Sequence, residues 1–292
     1  MDSNFTSEKS FHLAGIVPVA GQPMDFSMPW HDCMMPIAPD YLAVERAVAE
    51  CAMAGCETIW LICNDDMKPL IKHRLGDYIK DPVSLGRTYA SHATEKREIP
   101  IYYVPIHPKD RGKRDCLGWS VLHGALSAYH ISRKMSKWLT PDKYYVAFPH
   151  GTYDIDILRE YRKDISSERN LFLEYNGFSV RDGLYLGFTF GPEDYKRYVR
   201  TVRSKGTGIK RPGQTGIPSE RLPPSERYSA RFFSLDTVFE TADINYSKIV
   251  DVSWYYGIDS WELYCDFLSS PHRLLMAKPK HLFGGKFNKW NS

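Results

Sequence analysis

The sequence predicts an α/β protein with a three-layer, doubly wound, mainly parallel sheet to which antiparallel strands are appended. Three observations lead there. Short apolar runs recur at 13–20, 58–65, 99–106 and 143–151, each bounded by turn-forming residues. Segments with helical spacing follow the first three, making three strand–loop–helix units in succession, the pattern that feeds a parallel sheet covered by helices. The second half then changes character: apolar and aromatic runs split by glycines replace the alternation.

In order, LAGIVPVA (13–20) is apolar throughout and rich in β-branched residues, as a central strand buried on both faces should be. DYLAVERAVAECAMAG (40–55) sets Leu42, Val44, Val48 and Ala52 near helical spacing, with Asp40 as candidate N-cap and Gly55 as stop. TIWLICND supplies a second strand and MKPLIKHRLGDYI (67–79) a second helix. IPIYYVPI (99–106) reads as a third strand, DCLGWSVLHGALSAYHISRKM (115–135) as a helix packed on the sheet, and KYYVAFPHG as a fourth strand. NLFLEYNGFSV and GLYLGFTFG read as the appended antiparallel strands. Residues 204–227 are rich in Gly, Pro, Ser and basic residues and predict a mobile loop or flap within a single domain spanning 1–292. In a doubly wound sheet, ligands bind outside the carboxyl ends of the strands.

Composition narrows the function classes. With 292 residues, 43% of them hydrophobic and 25% charged, the chain has the makings of a large core, which excludes a disordered or fibrous protein. A net charge of +3 lacks the concentrated basic stripe of a nucleic-acid binder, so no nucleic-acid partner is expected. Six cysteines, Cys33, Cys51, Cys56, Cys63, Cys116 and Cys265, show neither zinc-type pairing nor disulfide density and are read as reduced. No run is long enough to span a membrane and no leader is evident, so a cytoplasmic protein without a membrane partner is expected.

LAGIVPVAG, the proline-rich stretch ending in MMPIAP, the helix YLAVERAVAECAMAG and the strand CETIWLICND together resemble the start of the sugar nucleotidyltransferases, the nucleoside-diphosphate-sugar pyrophosphorylases. Further on, IPIYYVPIHPKDRGKRDCLGWSVLHGA is similar to that family's base-side strand and loop, KYYVAFPHGTYD to the strand ending in a metal-binding aspartate, and WYYGIDSWELYCDFL to its late magnesium motif. The resemblance covers most of 13–270 and implies a nucleotidyltransferase or GT-A-like Rossmann-type fold. It implies transfer of a nucleotidyl group from a nucleoside triphosphate to a sugar phosphate, with Mg2+ as cofactor. By resemblance alone, the divergence is like that of copies carried by tailed bacteriophages.

Nucleotidyl transfer asks for carboxylate-held magnesium and for cations on the leaving pyrophosphate. The resemblance therefore implies Asp259 with Asp154 or Asp156 for the metal, and His150 at the strand end where the family has its aspartate. It puts Arg111, Lys113 and Arg114 of a basic loop on phosphates, Ala20, Gly21 and Gln22 in the triphosphate loop, and Gly118 and Trp119 under the nucleoside. The departures are equally specific. Pro23 removes a backbone N–H from the phosphate cradle, and His31 and Asp32 stand where the family has a proline and its catalytic lysine. Trp30 and His31 either meet a ligand, by stacking and by contacting phosphate, or close the core beneath the loop. Three classes follow: a magnesium-dependent nucleotidyltransferase, a glycosyltransferase using a nucleotide sugar as donor, or a silent structural or regulatory relative. A homo-oligomer is compatible with each.

Overall fold

The computed structural model describes residues 11–22, 25–82, 97–111, 114–208, 233–279 and 282–283. In chain order these form β1 (Leu13–Pro18), β2 (Pro36–Ala38), β3 (Tyr41–Leu42), α1 (Ala43–Ala54), β4 (Thr58–Ile62), α2 (Lys68–Leu75), β5 (Tyr78–Lys80) and β6 (Glu98–Val104). There follow α3 (Leu117–Met135), β7 (Lys143–Val146), β8 (Gly151–Thr152), α4 (Arg162–Ile165), β9 (Leu171–Glu174), β10 (Phe188–Phe190) and α5 (Pro192–Gly208). The last are α6 (Leu235–Phe239), β11 (Lys248–Asp251), β12 (Tyr256–Gly257) and α7 (Trp261–Ser269).

The main sheet has the order β11-β9-β10-β7-β1-β4-β6-β5. Strands β7, β1, β4 and β6 are parallel, β10 runs antiparallel to both β7 and β9, and β5 closes the far edge antiparallel to β6. The expected fold class is therefore present, appended antiparallel strands included. Because β1 is central, its residues alternate between two cores. Leu13 and Val17 pack with α1, and Ala14 and Ile16 with α3, so the strand must be apolar at every position. The chain places β4 and then β6 on one side of β1 and returns to place β7 on the other. The order thus reverses between β1 and β7, and in doubly wound sheets such a reversal marks the crevice, at the carboxyl ends of the flanking strands, where ligands bind.

Several local expectations change. Helix α1 starts at Ala43, not at Asp40, which sits at φ 55° and is tied to Arg74 and Lys278 instead of capping. The first turn is served from within: Glu45 Oε2 accepts the Leu42 N–H at 2.8 Å. Gly55, in the left-handed region at φ 94°, ends the helix as expected. Helix α2 stops at Leu75 because Gly76 turns the chain at φ 77°, and Tyr78 and Ile79, expected in the helix, join β5. Residues 204–208, expected in a loop, continue α5, while 209–227 lie outside the described residues. All six cysteines are unpaired, and among the described residues no helix is long and apolar enough to cross a membrane.

The C-terminal segment returns to the segment that follows β1. Asp25 Oδ2 accepts the Trp261 N–H at 2.9 Å, Tyr264 Oη donates to the Pro36 carbonyl at 2.8 Å, and Lys278 reaches Asp40 and Glu45 at 3.2 and 3.1 Å. The Trp261 and Ser27 N–H groups hold the Asp25 carboxyl below its usual range.

Candidate functional site

The crevice between β1 and β7 is walled by two chain exits. On the β1 side, the Val19 and Ala20 N–H groups both donate to the Ile62 carbonyl at 2.9 Å, and Ser120 Oγ donates to the Ala20 carbonyl at 2.5 Å. Gly21 then turns at φ 84° against the start of α3. A Cβ there would lie 2.5 Å from the Cys116 carbonyl carbon, so only glycine fits. The close approach at Gly21 is thus to protein backbone. Gly118 behaves alike: its missing Cβ would fall 2.7 Å from Val238 Cγ2, so the contact expected under a nucleoside is made with α6.

Gln22, the next residue, begins a relay. Its Nε2 donates to Tyr185 Oη at 3.0 Å, and Tyr185 Oη donates to Asp259 Oδ2 at 2.8 Å. Burial, with the adjacent Asp259 charge, raises the Tyr185 phenol and keeps it a donor. Tyr185 is fixed by its own N–H, which donates to Tyr255 Oη at 3.0 Å. Sequence reading missed Tyr185, which falls between β9 and β10 in an apolar run read as strand.

On the β7 side the chain leaves the sheet through Phe148, Pro149 and His150. Arg46 Nη2 holds the Phe148 carbonyl at 2.9 Å, and the His150 carbonyl accepts the Ile258 N–H at 2.8 Å. Arg46 pairs with Glu50 at 3.1 Å with both side chains fully buried, and the guanidinium lies 4.6 Å from the centre of the Tyr153 ring. Tyr145 and Tyr153 both donate to Glu50 Oε1. This charged network under the crevice also escaped sequence reading. Its one signal is an i,i+4 Arg–Glu pair in a helix otherwise made largely of small and apolar residues.

The two walls meet at Asp32. His31 stands before a 3-10 turn (Asp32–Met34), with its Nδ1 2.7 Å from Asp32 Oδ1, and Asp32 Oδ2 faces His150 Nε2 at 3.4 Å. Asp32 is 2% exposed and His150 fully buried. Burial pushes the Asp32 carboxyl up, but His150 and His31 together outweigh it and hold it well below its usual range. Asp32 is thus an anion clamped between imidazoles. The position that the resemblance gives to a catalytic lysine and the one it gives to a metal-binding aspartate are joined to each other. Trp30 is exposed at the rim of this loop, which rules out the core-plug reading of its ring.

The magnesium set does not assemble. Strand β12 pairs with β8 through Tyr256 with Thr152 and Gly257 with Gly151, a register that carries Asp259 toward Pro149 and Asp154 to the opposite end of the pair. Asp154 is exposed, and its Oδ1 accepts the Asp156 N–H at 2.9 Å. Magnesium requires several oxygen ligands in near-octahedral array. One carboxylate at Asp259, with His150 committed to Asp32, does not offer that array, so the described residues do not fit a preformed magnesium cradle.

The cations are dispersed too. Arg111 pairs with Asp65 at 3.2 Å and donates through Nε to the Ile106 carbonyl, and Lys113 lies outside the described residues, as does Pro23. Arg114 sits over the Trp119 ring at 5.1 Å, and the buried Trp119 Nε1 has no hydrogen-bond partner among the described residues.

No protein-family model matches the chain, and no curated protein matches it in sequence. Solved structures do. A protein described as a glucose-1-phosphate thymidylyltransferase of Bacillus anthracis, crystallised with a sucrose, aligns over 92% of this chain and 98% of its own at 10% identity with a TM-score of 0.53. A nucleoside-diphosphate-sugar pyrophosphorylase of Vibrio cholerae RC9 aligns over 88% of this chain and all of its own at 13% identity with a TM-score of 0.50. At such identities it is the fold that is shared, and the chain has the mixed α/β architecture of these nucleotidyltransferases.

Proposed function

We propose that this chain is a nucleotidyltransferase-like protein that binds a nucleoside triphosphate or nucleotide sugar, with a sugar phosphate as second substrate, in the crevice between β1 and β7. The observation carrying this reading is the Gln22–Tyr185–Asp259 relay, which ties a carboxylate to the segment leaving β1, beside the point where the sheet order reverses. Tyr185 holds Oδ2 of Asp259, and a carboxylate fixed in this way is suited to accept a hydroxyl of a sugar or ribose in a charge-assisted bond. The architecture shared with sugar-nucleotide enzymes supports the same ligand class.

The clamped Asp32 favours a second reading, in which the site binds its nucleotide without transferring it. A carboxylate with two imidazoles, where the resembled family carries a lysine, offers a triphosphate no free cation. Thermal denaturation of the protein with each common nucleoside triphosphate and nucleotide sugar, with and without magnesium, combined with a pyrophosphate-release assay, separates the readings. A ligand held only by the native state adds about 2.7 kcal/mol at a hundred times its dissociation constant. Stabilisation with pyrophosphate release supports transfer, and stabilisation without release supports the binding-only reading. No stabilisation by any nucleotide overturns both.

A further inference from the structure

We propose that His31, Asp32 and Cys33, with His150 behind Asp32, form a binding site for a divalent transition-metal ion, of which Zn2+ is the type. The proposal is independent of nucleotide binding.

Three consecutive residues supply nitrogen, oxygen and sulfur donors that all lie within 4.8 Å of one another, the only such group among the described residues. The backbone explains the convergence. His31 is extended at φ −57° and ψ 130°, and the 3-10 turn that follows folds Asp32 and Cys33 back toward its ring. His150 supports the group from behind: it is fully buried, and its Nε2 pairs with Asp32 Oδ2 at 3.4 Å while Asp32 Oδ1 faces His31. A partner on the outer oxygen of a ligating carboxylate fixes the orientation in which that carboxylate meets an ion.

Zinc bonds of roughly 2.0 to 2.1 Å in a tetrahedron put neighbouring ligand atoms about 3.3 Å apart. The three donors lie within 4.8 Å of one another, with His31 Nδ1 2.7 Å from Asp32 Oδ1, so small side-chain rotations seat the ion between them. The donor chemistry selects the ion: imidazole and thiolate suit zinc and its neighbours, whereas magnesium and calcium take oxygen. Binding forms a metal–sulfur bond as the Cys33 thiol releases its proton to solvent, so one carboxylate and one thiolate neutralise the dication. Three protein ligands leave the fourth tetrahedral position to water. Through Asp32 and His150 the ion would pin the segment after β1 to the exit of β7.

Chelator-stripped protein titrated with Co2+, and then with Zn2+ against a chromophoric chelator, tests this. The expected result is one ion per chain, the intense visible bands of tetrahedral cobalt with a sulfur-to-cobalt charge-transfer band, displacement by equimolar Zn2+ and indifference to a large excess of Mg2+. Cys33→Ser should abolish the charge-transfer band and weaken Zn2+ binding at least 10-fold, and His31→Gln should weaken it while leaving that band in place. Absence of tetrahedral cobalt bands in the wild-type chain overturns the proposal whether or not either variant folds, and so does Zn2+ binding unchanged by both substitutions.

Discussion

Asp32 and His150 face each other at 3.4 Å inside the protein, one from the loop after β1 and the other from the exit of β7. A carboxylate held there is worth most when both imidazoles stay in place. Asp32→Asn should lower unfolding free energy by about 3 to 5 kcal/mol, the cost of removing one partner from a buried charged group. Asp32→Lys should do at least as much harm, and adding His150→Asp should recover part of it by restoring opposite charges. Urea unfolding of the wild type, Asp32→Lys, His150→Asp and the double variant gives the coupling, and strictly additive losses would contradict a direct pairing.

Gly118→Ala tests whether that glycine serves packing. Its Cβ would overlap Val238, costing about 1 to 3 kcal/mol as an overpacked core does. Val238→Ala in the same chain should relieve the overlap, so the double variant should be more stable than the sum of the two single losses predicts. If the glycine lies against a ligand instead, Gly118→Ala will leave stability unchanged and weaken nucleotide binding.

Tyr185→Phe removes one hydroxyl and two hydrogen bonds while keeping the ring. Stability should fall by about 1 kcal/mol for the bonds lost. Freed from its donor, Asp259 should also bind nucleotide more weakly, and calorimetric titration that finds equal affinity would remove Tyr185 from the site.

Lys143 provides a pH test away from the crevice. Its ammonium is buried at the base of β7 and donates to the carbonyls of Ile165, Ser167 and Arg169, and burial lowers it to about 8 from the usual 10.5. The unfolded chain therefore binds more protons than the folded one between those values, and this lysine's contribution to stability rises with pH across that window. Compared with Lys143→Met, the wild-type protein should gain on the order of 3 kcal/mol from pH 8 to 10.5. Denaturation of both proteins at matched pH reads the difference, in which the buried cysteines and tyrosines cancel, and a flat difference would argue that the amine keeps its ordinary affinity for protons.

The fold was readable where one physical demand dominates a segment. Strand β1 is buried on both faces, so its residues could hardly be polar, and Gly55 occupies a left-handed position that few other residues tolerate. Asp40 misled because its positive φ is set by Arg74 and Lys278, partners far off in sequence. For the site, the family resemblance pointed to His31, Asp32, His150 and Asp259 but not to which of them touch. Asp154 looked equivalent to a metal ligand until the β8–β12 register sent it to the far end. Arg46 and Glu50 carry the i,i+4 spacing of a solvated pair, and only the covering of α1 on every side makes them a buried anchor.

The clasp between the segment after β1 and the C-terminal segment also sets a timetable. A chain made from its amino end exposes Asp25, Pro36 and Asp40 long before Trp261, Tyr264 and Lys278 exist, so the segment that borders the crevice must wait for residues more than two hundred positions later. Contacts this distant in sequence close late and slowly. The growing chain would then hold its parallel strands before it holds its site, and it could not engage a ligand in the crevice until Trp261 to Lys278 had been made.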